Sequence, residues 1–259
     1  EAAYQTRLFD RQGSRISLTE SGNLLLEHCE RILEDYKRLE YEMHLLHNEY
    51  TGGLKLGAST TIAQYVLPPL LASFIGKFPQ VSLSLLNGNS REIEAALQEH
   101  RIDLGFVEGV FRLPNIRYTT FLEDELVAVV RTGSKLAVGE EITPDELFHL
   151  PLVLRERGSG TLDVFERALQ QHNIKLSSLQ VLMYLGSTES IKLFLEHTDC
   201  LGIVSVRSIT RELYSGQLRV VEIKGMPMLR DFSFAQPQGQ ESGLAQVFMQ
   251  FAMHNNHKL

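Results

Sequence analysis

From residue 52 onward the chain alternates between short apolar, strand-like runs and longer amphipathic ones, and that alternation constrains its fold more than any other feature. Leu54–Ala58 reads as a strand. Thr61–Lys77 reads as helix, kinked or restarted by Pro68-Pro69. Val81–Leu86 is a strand, and Arg91–His100 is an amphipathic helix carrying Ile93, Ala96 and Leu97. Asp103–Val107 and Phe121–Arg131 supply further strands. The series then restarts near residue 150. Strands are expected at Leu152–Arg155, Leu179–Leu185, Leu201–Ser205, Leu218–Ile223 and Asp231–Gln236. Helices are expected at Thr161–His172, Ser187–His197, Arg207–Tyr214 and Ser242–His254. Such alternation predicts an α/β fold with parallel sheets covered by helices on both faces. The restart predicts two similar lobes.

Residues 19–50 follow a different rule. Leu25, Ile32, Leu39 and Leu46 are seven apart, and Cys29, Tyr36, Met43 and Tyr50 follow each of them by four. This heptad predicts one long helix, roughly 48 Å at ~1.5 Å per residue, with a narrow apolar stripe suited to pairing with a second copy. Thr19 is its expected N-cap, with Glu20 in the first turn. Thr51-Gly52-Gly53 marks the break that follows.

The remaining bulk properties exclude whole classes. The 259 residues are enough for two compact domains, and 43% apolar with 22% charged residues is ordinary for a globular chain. The net charge of −7 argues against a general nucleic-acid binder, so any DNA contact must be local. Cys29 and Cys200 read as reduced thiols in packing positions rather than a redox pair. No run of 18 apolar residues occurs and the first residues carry no apolar leader core, so a cytoplasmic setting without a membrane partner is expected. His44 and His47, three apart on the long helix, lack the further ligands a metal would need. The glycine-rich, zinc and nucleophile-elbow motifs of common enzymes are missing, so no catalytic residue is assigned.

Three strand ends carry small hydroxyl and glycine residues where helices begin: Ser59-Thr60-Thr61, Arg155 through Gly158-Ser159-Gly160-Thr161, and Gly186-Ser187-Thr188. Free backbone N–H groups at a helix start attract anions, and an arginine adds charge. In open α/β sheets ligands sit at such carboxyl ends. A cleft for a small anion between two lobes is the expectation. Near the start, Arg7, Arg11 and Arg15 fall within nine residues around a glycine turn, a candidate contact for phosphate backbone.

These residues also carry a family pattern. Arg7-Leu8-Phe9-Asp10-Arg11, followed by Arg15-Ile16-Ser17-Leu18-Thr19-Glu20-Ser21-Gly22, resembles the wing and linker-helix start of LysR-type transcriptional regulators. Gly53-Leu54-Lys55-Leu56-Gly57, Leu67-Pro68-Pro69-Leu70 and Asp103-Leu104-Gly105-Phe106 are similar to the effector domain of that family. So is Leu201-Gly202-Ile203-Val204-Ser205.

The resemblance implies a two-lobed, type II periplasmic-binding-protein-like effector domain over 52–259, with lobe I at 52–130 and 231–259 and lobe II at 131–230. It implies a linker and dimerisation helix at 19–51 and the wing of a winged helix-turn-helix at 1–18. The base-reading helices of the family would precede Glu1, so this chain by itself is expected to bind DNA weakly. Chain crossings between lobes are implied near 129–132 and 228–232. Ser59, Thr60 and Thr61 match the first-lobe turn, Val107, Glu108 and Gly109 the next strand end, and Thr188 and Ser205 the second lobe's side of the cleft. The run from Arg155 to Thr161 resembles regulators of sulfur assimilation or carbon fixation, which makes an oxyanion such as sulfite or sulfate the expected co-inducer. Implied partners are promoter DNA, through the full-length protein, and further copies of the chain in a homodimer or homotetramer. A solute-binding protein or a small-acid enzyme on the same fold is the alternative.

Overall fold

The computed structural model describes every residue except 2–3, 13–14, 47–49, 111, 137–138, 239–242 and 257–259. The side chains of Arg11, Arg15, Leu46 and several other residues of the N-terminal segment also lie outside the described part. The chain forms two compact units, Glu1–Glu49 and Tyr50–Leu259.

In the first unit, β1 (Phe9–Gln12) and β2 (Arg15–Leu18) pair antiparallel, Phe9 opposite Leu18 and Gln12 opposite Arg15. Helix α1 (Glu20–Leu46) follows. Thr19 caps it as expected, accepting from Gly22 N at 3.0 Å. Cys29, Ile32, Tyr36, Leu39 and Met43 are exposed along α1, and Leu25 is half-buried. Tyr50 is not an extension of this stripe. It belongs to the second unit, where its ring meets Phe78 edge-on at 5.6 Å.

The second unit opens with β3 (Gly52–Ser59), α2 (Thr60–Tyr65), α3 (Leu67–Lys77), β4 (Val81–Gly88), α4 (Ser90–Gln98) and β5 (Leu104–Glu108). Of the two alternatives for 61–77, a kink or a restart, the structure takes the restart: the helix breaks at Val66, and Pro68-Pro69 occupy the start of α3, where a missing N–H costs nothing. The chain continues through β6 (Ile116–Arg131), β7 (Glu141–Ile142), β8 (Pro151–Arg155), α5 (Gly160–Gln171), β9 (Gln180–Leu185), α6 (Thr188–His197) and β10 (Leu201–Ser205). It ends with α7 (Thr210–Ser215), β11 (Leu218–Ile223), β12 (Leu229–Pro237) and α8 (Gly243–Asn255).

The strand order is β4-β3-β5-β12-β6-β10-β8-β9, with β11 and β7 branching off β6. Pairing is parallel among β4, β3 and β5, and again among β10, β8 and β9. The expectation of purely parallel sheets fails at the centre: β12 runs antiparallel to β5 and β6, and β6 antiparallel to β10 and β11. These two antiparallel strands carry the chain between the lobes, out along β6 and back along β12. The sheet partner of β6 changes between Glu125, opposite Leu229, and Leu126, opposite Ser205. That switch lies four residues before the expected crossing at 129–132, because β6 is one continuous 16-residue strand shared by both lobes.

Each lobe has its own core. Lobe I buries Phe74, Phe106, Phe121, Phe234 and Phe248 as neighbouring rings, including Phe106 and Phe234 at 5.1 Å. Lobe II packs Leu152, Leu154, Phe165, Leu169 and Ile203 on one face of its strands and Val153, Ile191, Leu195 and Val204 on the other. Cys200 lies in that second cluster, and burial first, then the charge of Asp199, push its thiol up to about 11. It is packing, as expected. Among the described residues no helix is long and apolar enough to cross a membrane, and no His, Cys, Asp and Glu cluster could hold a metal ion.

Candidate functional site

The strand ends singled out by composition meet where the lobes face each other. A cavity of about 270 Å³ is lined by Thr60 and Gln64 of α2, Gly88 and Asn89 after β4, and Glu156, Gly186 and Ser187 of lobe II. Three helices start on it. Asn89 caps α4 in a reciprocal box with Glu92, and Ser187 caps α6 by accepting from Ser190 N at 3.1 Å. Thr60 opens α2.

Arg155 does not line this cavity; it lies beneath it, 1% exposed. Its Nη2 donates to Thr60 Oγ1 at 3.3 Å, to Gly186 O at 3.3 Å and to Glu156 Oε1 at 3.0 Å. Its Nε donates to Glu156 Oε2 at 2.9 Å. Its Nη1 is buried with no hydrogen-bond partner, and so is Ser59 Oγ at the end of β3. Native folds seldom bury such groups unsatisfied. A fixed, fully buried guanidinium with one open donor beside three helix starts is suited to an anion's oxygen.

Behind Thr60 lies a buried ionic layer. Glu108 Oε1 accepts from Thr61 Oγ1 at 3.3 Å and from Thr161 Oγ1 at 3.5 Å, and stands 3.2 Å from Arg230 Nη1. Arg230 Nη1 also donates to Thr161 Oγ1 at 3.0 Å, and its Nε to Asp124 Oδ2 at 2.7 Å. Arg230 Nη2 is equally near that oxygen as a charge contact, without an aligned hydrogen bond. Ser205 Oγ donates to Asp124 Oδ1 at 2.7 Å. Glu108, Asp124 and Arg230 are all essentially inaccessible, so their charges are worth far more to one another than a surface pair would be.

The lobes touch closely at α5. A Cβ on Gly160 would come within 2.3 Å of Glu108 O, and Arg91 N donates to Gly158 O at 3.3 Å. Gly158 has φ +93°, where side-chain-bearing residues are strained. Ser159 caps α5 by accepting from Thr161 N at 3.2 Å. At the opposite rim Tyr65 Oη donates to Glu189, and Lys192 Nζ contacts Glu189 and Glu212 at 2.8 Å each. Burial would raise the Glu189 pKa, but its hydrogen bonds to Lys192 and Tyr65 and the charge of Lys192 hold it below the usual range. Burial, then the Glu189 contact, raises Tyr65. Tyr65→Phe deletes this inter-lobe bond to a charged group. It is expected to cost about 1–3 kcal/mol, read as a lower urea midpoint.

Of the residues expected in the cleft, Thr60 lines the cavity, and Ser59, Thr61, Glu108, Arg155, Ser159 and Thr161 form the buried layer beneath it. Thr188 is buried in the first turn of α6. Ser205 serves Asp124 instead, and Gly109 lines a separate cavity. Arg230, Asp124 and Tyr65 were not foreseen, because lone charges at strand ends and a tyrosine in a short helix carry no periodic signal. Arg7 is exposed, whereas the Arg11 and Arg15 side chains lie outside the described residues.

Residues 47–256 match the family described as the LysR substrate binding domain. The uncharacterised transcriptional regulator YeiE of Escherichia coli K12 is 34% identical over 86% of this chain and 73% of its own length. This chain belongs to the LysR-type transcriptional regulators. The RuBisCO operon regulator of Acidithiobacillus ferrooxidans is 29% identical over 94% of this LysR-type regulator and 78% of its own length. The regulatory domain of Synechocystis CcmR, solved in complex with 2-PG, superposes with a TM-score of 0.71 at 28% identity, over 79% of this chain and 97% of that one. The relatives are transcription factors rather than enzymes, and the two-lobed α/β unit is the effector-binding domain of this one.

Proposed function

We propose that this LysR-type regulator senses a small anionic metabolite between its lobes and passes the occupancy of that cleft to promoter DNA. The observation that carries the reading is the open Nη1 of buried Arg155, beneath a cavity onto which three helices start. The 2-PG complex of the related CcmR domain supports a phosphorylated or other oxyanionic ligand, with sulfite and sulfate in the same chemical class. Ser59 and Thr60 would supply hydroxyls to it. Thr61, Glu108, Ser159, Thr161 and Thr188 would hold the walls, Gly158 the turn, and Gly109 and Ser205 the layer behind. The ligand must favour one lobe arrangement over another, since only a difference in affinity shifts an equilibrium.

The exposed stripe of Cys29, Ile32, Tyr36, Leu39 and Met43 supports pairing of α1 with a second copy, Leu25 and Leu46 extending the seam, and a dimer of dimers would then bend or space operator DNA. Arg7, Arg11 and Arg15 would contact phosphate. The protein would work in the cytoplasm.

The test is thermal unfolding of the full chain with sulfite, sulfate, phosphate and 2-phosphoglycolate. A ligand at a hundred times its Kd is expected to stabilise by about 2.7 kcal/mol. Thr60→Val and Arg155→Met should each abolish that shift. A response to neutral compounds only, or one that survives both substitutions, overturns the anionic reading.

A further inference from the structure

A second cavity, of about 330 Å³, lies where β6 and β12 pass between the lobes, and it shares no lining residue with the cleft. Its walls come from both lobes: Gly109 and Arg112 after β5, Arg167 on α5, and the paired strands carrying Glu123, Arg230 and Asp231. The lining carries side chains of both signs. Arg112 is fixed over the Tyr118 ring at 4.5 Å and donates to Ser233 Oγ at 3.2 Å. Arg167 is exposed and has no ion-pair partner among the described residues. Glu123 and Asp231 are direct cross-strand neighbours in the β6–β12 register. Directly opposed like charges destabilise a strand pair, and neither carboxylate has a cationic partner among the described residues. Arg230 and Asp124, the adjacent pair, are already joined by the Nε–Oδ2 hydrogen bond at 2.7 Å.

We propose that this cavity is a second ligand site and that it takes a small zwitterion, an α-amino acid. The ligand's ammonium would lie against Glu123 and Asp231 and relieve their repulsion. Its carboxylate would meet Arg112 and Arg167, where a guanidinium can hold two oxygens at once. A purely anionic ligand gains from the arginines but faces the two carboxylates, and a cation has the converse difficulty. Only a molecule carrying both charges can meet complementary charge from both the arginines and the carboxylates. Both lobes contribute walls, so occupancy would depend on lobe arrangement. The cavity is joined to the cleft by the buried chain Thr61–Glu108–Arg230–Asp124, so the two sites would be linked reciprocally.

Thermal unfolding of the full chain with single amino acids at millimolar concentration tests this, with acetate and methylammonium as single-charge controls. At least one amino acid is expected to raise the midpoint by about 5–10 °C at a hundredfold excess over its Kd. The controls should have no effect. Arg167→Met and Asp231→Asn should each weaken that amino acid about tenfold or more, as for a charge-assisted bond, whereas Thr60→Val, at the other cavity, should weaken it less than either. The proposal is overturned if no amino acid shifts the midpoint or if acetate alone matches the effect. It is equally overturned if binding survives both substitutions, or if Thr60→Val abolishes it and so assigns the ligand to the cleft.

Discussion

Gly160→Ala is expected to loosen the contact between α5 and β5 and to weaken effector binding by up to about 30-fold. Two effects of opposite sign compete. Alanine is the better helix former by about 1 kcal/mol, which would favour α5. Against that, the new methyl would lie 2.3 Å from Glu108 O and 2.5 Å from both Glu108 C and Cγ. Two of those three atoms are backbone of β5, which cannot rotate aside, so α5 and lobe II must move away. Overpacking of this kind costs about 1–3 kcal/mol, and here it falls on the contact that holds the lobes together. After the gain in helix propensity, a net loss of up to about 2 kcal/mol in the binding-competent state lowers apparent affinity by up to about 30-fold. Effector titration of the variant checks it, and unchanged or tighter binding would show that helix propensity wins and that this contact is not part of the bound state.

Arg230→Met is expected to cost about 3–5 kcal/mol of folding stability. The variant leaves Asp124 and Glu108 buried at the junction of β5, β6 and β12 with their main counter-charge gone. Arg207 stays 3.6 Å from Asp124 but is partly exposed and stands on the far oxygen, so it compensates poorly. Adding Asp124→Asn and Glu108→Gln to Arg230→Met removes the stranded charges. It should recover a large part of the loss, because neutral groups in the same space need only hydrogen bonds. Urea unfolding of the single and triple variants gives both numbers. Equal stability of the two would mean that burial of charge is not what Arg230 compensates.

Much of this fold was legible in the chain. The parallel strands β3, β4, β5, β8, β9 and β10 were all expected within a few residues, because each is a short apolar run and all but β5 are followed by helix-starting residues. The heptad in α1 and the Thr19 cap were legible for the same reason: they depend on spacing alone. What failed was non-local. β6 was read as ending one lobe, because nothing in Glu123-Asp124-Glu125-Leu126 marks the place where its hydrogen-bond partner changes from β12 to β10. The two-residue β7 and the turn at Pro144–His149 were missed, since neither carries a period.

The candidate site divides along the same line. Ser59, Thr60, Thr61, Arg155, Ser159 and Thr161 could be named from sequence because helix starts at strand ends have a local signature. Which of them face a cavity and which lie sealed beneath it could not, since Thr60 and Arg155 are 95 residues apart and meet only in the folded chain. The charges on Asp124 and Arg230, 106 residues apart, become a buried ionic layer only when β6 and β12 align. Local periodicity and capping therefore determined the element order and the hydroxyl-lined strand ends, while the family was legible only as a resemblance carried by particular motifs such as Arg7–Arg11 and Leu201–Ser205. Strand register and lobe contact decided which charges are buried, which donor is left open, and where two cavities form, because electrostatic energy depends on distance and burial and neither is a property of neighbours in sequence.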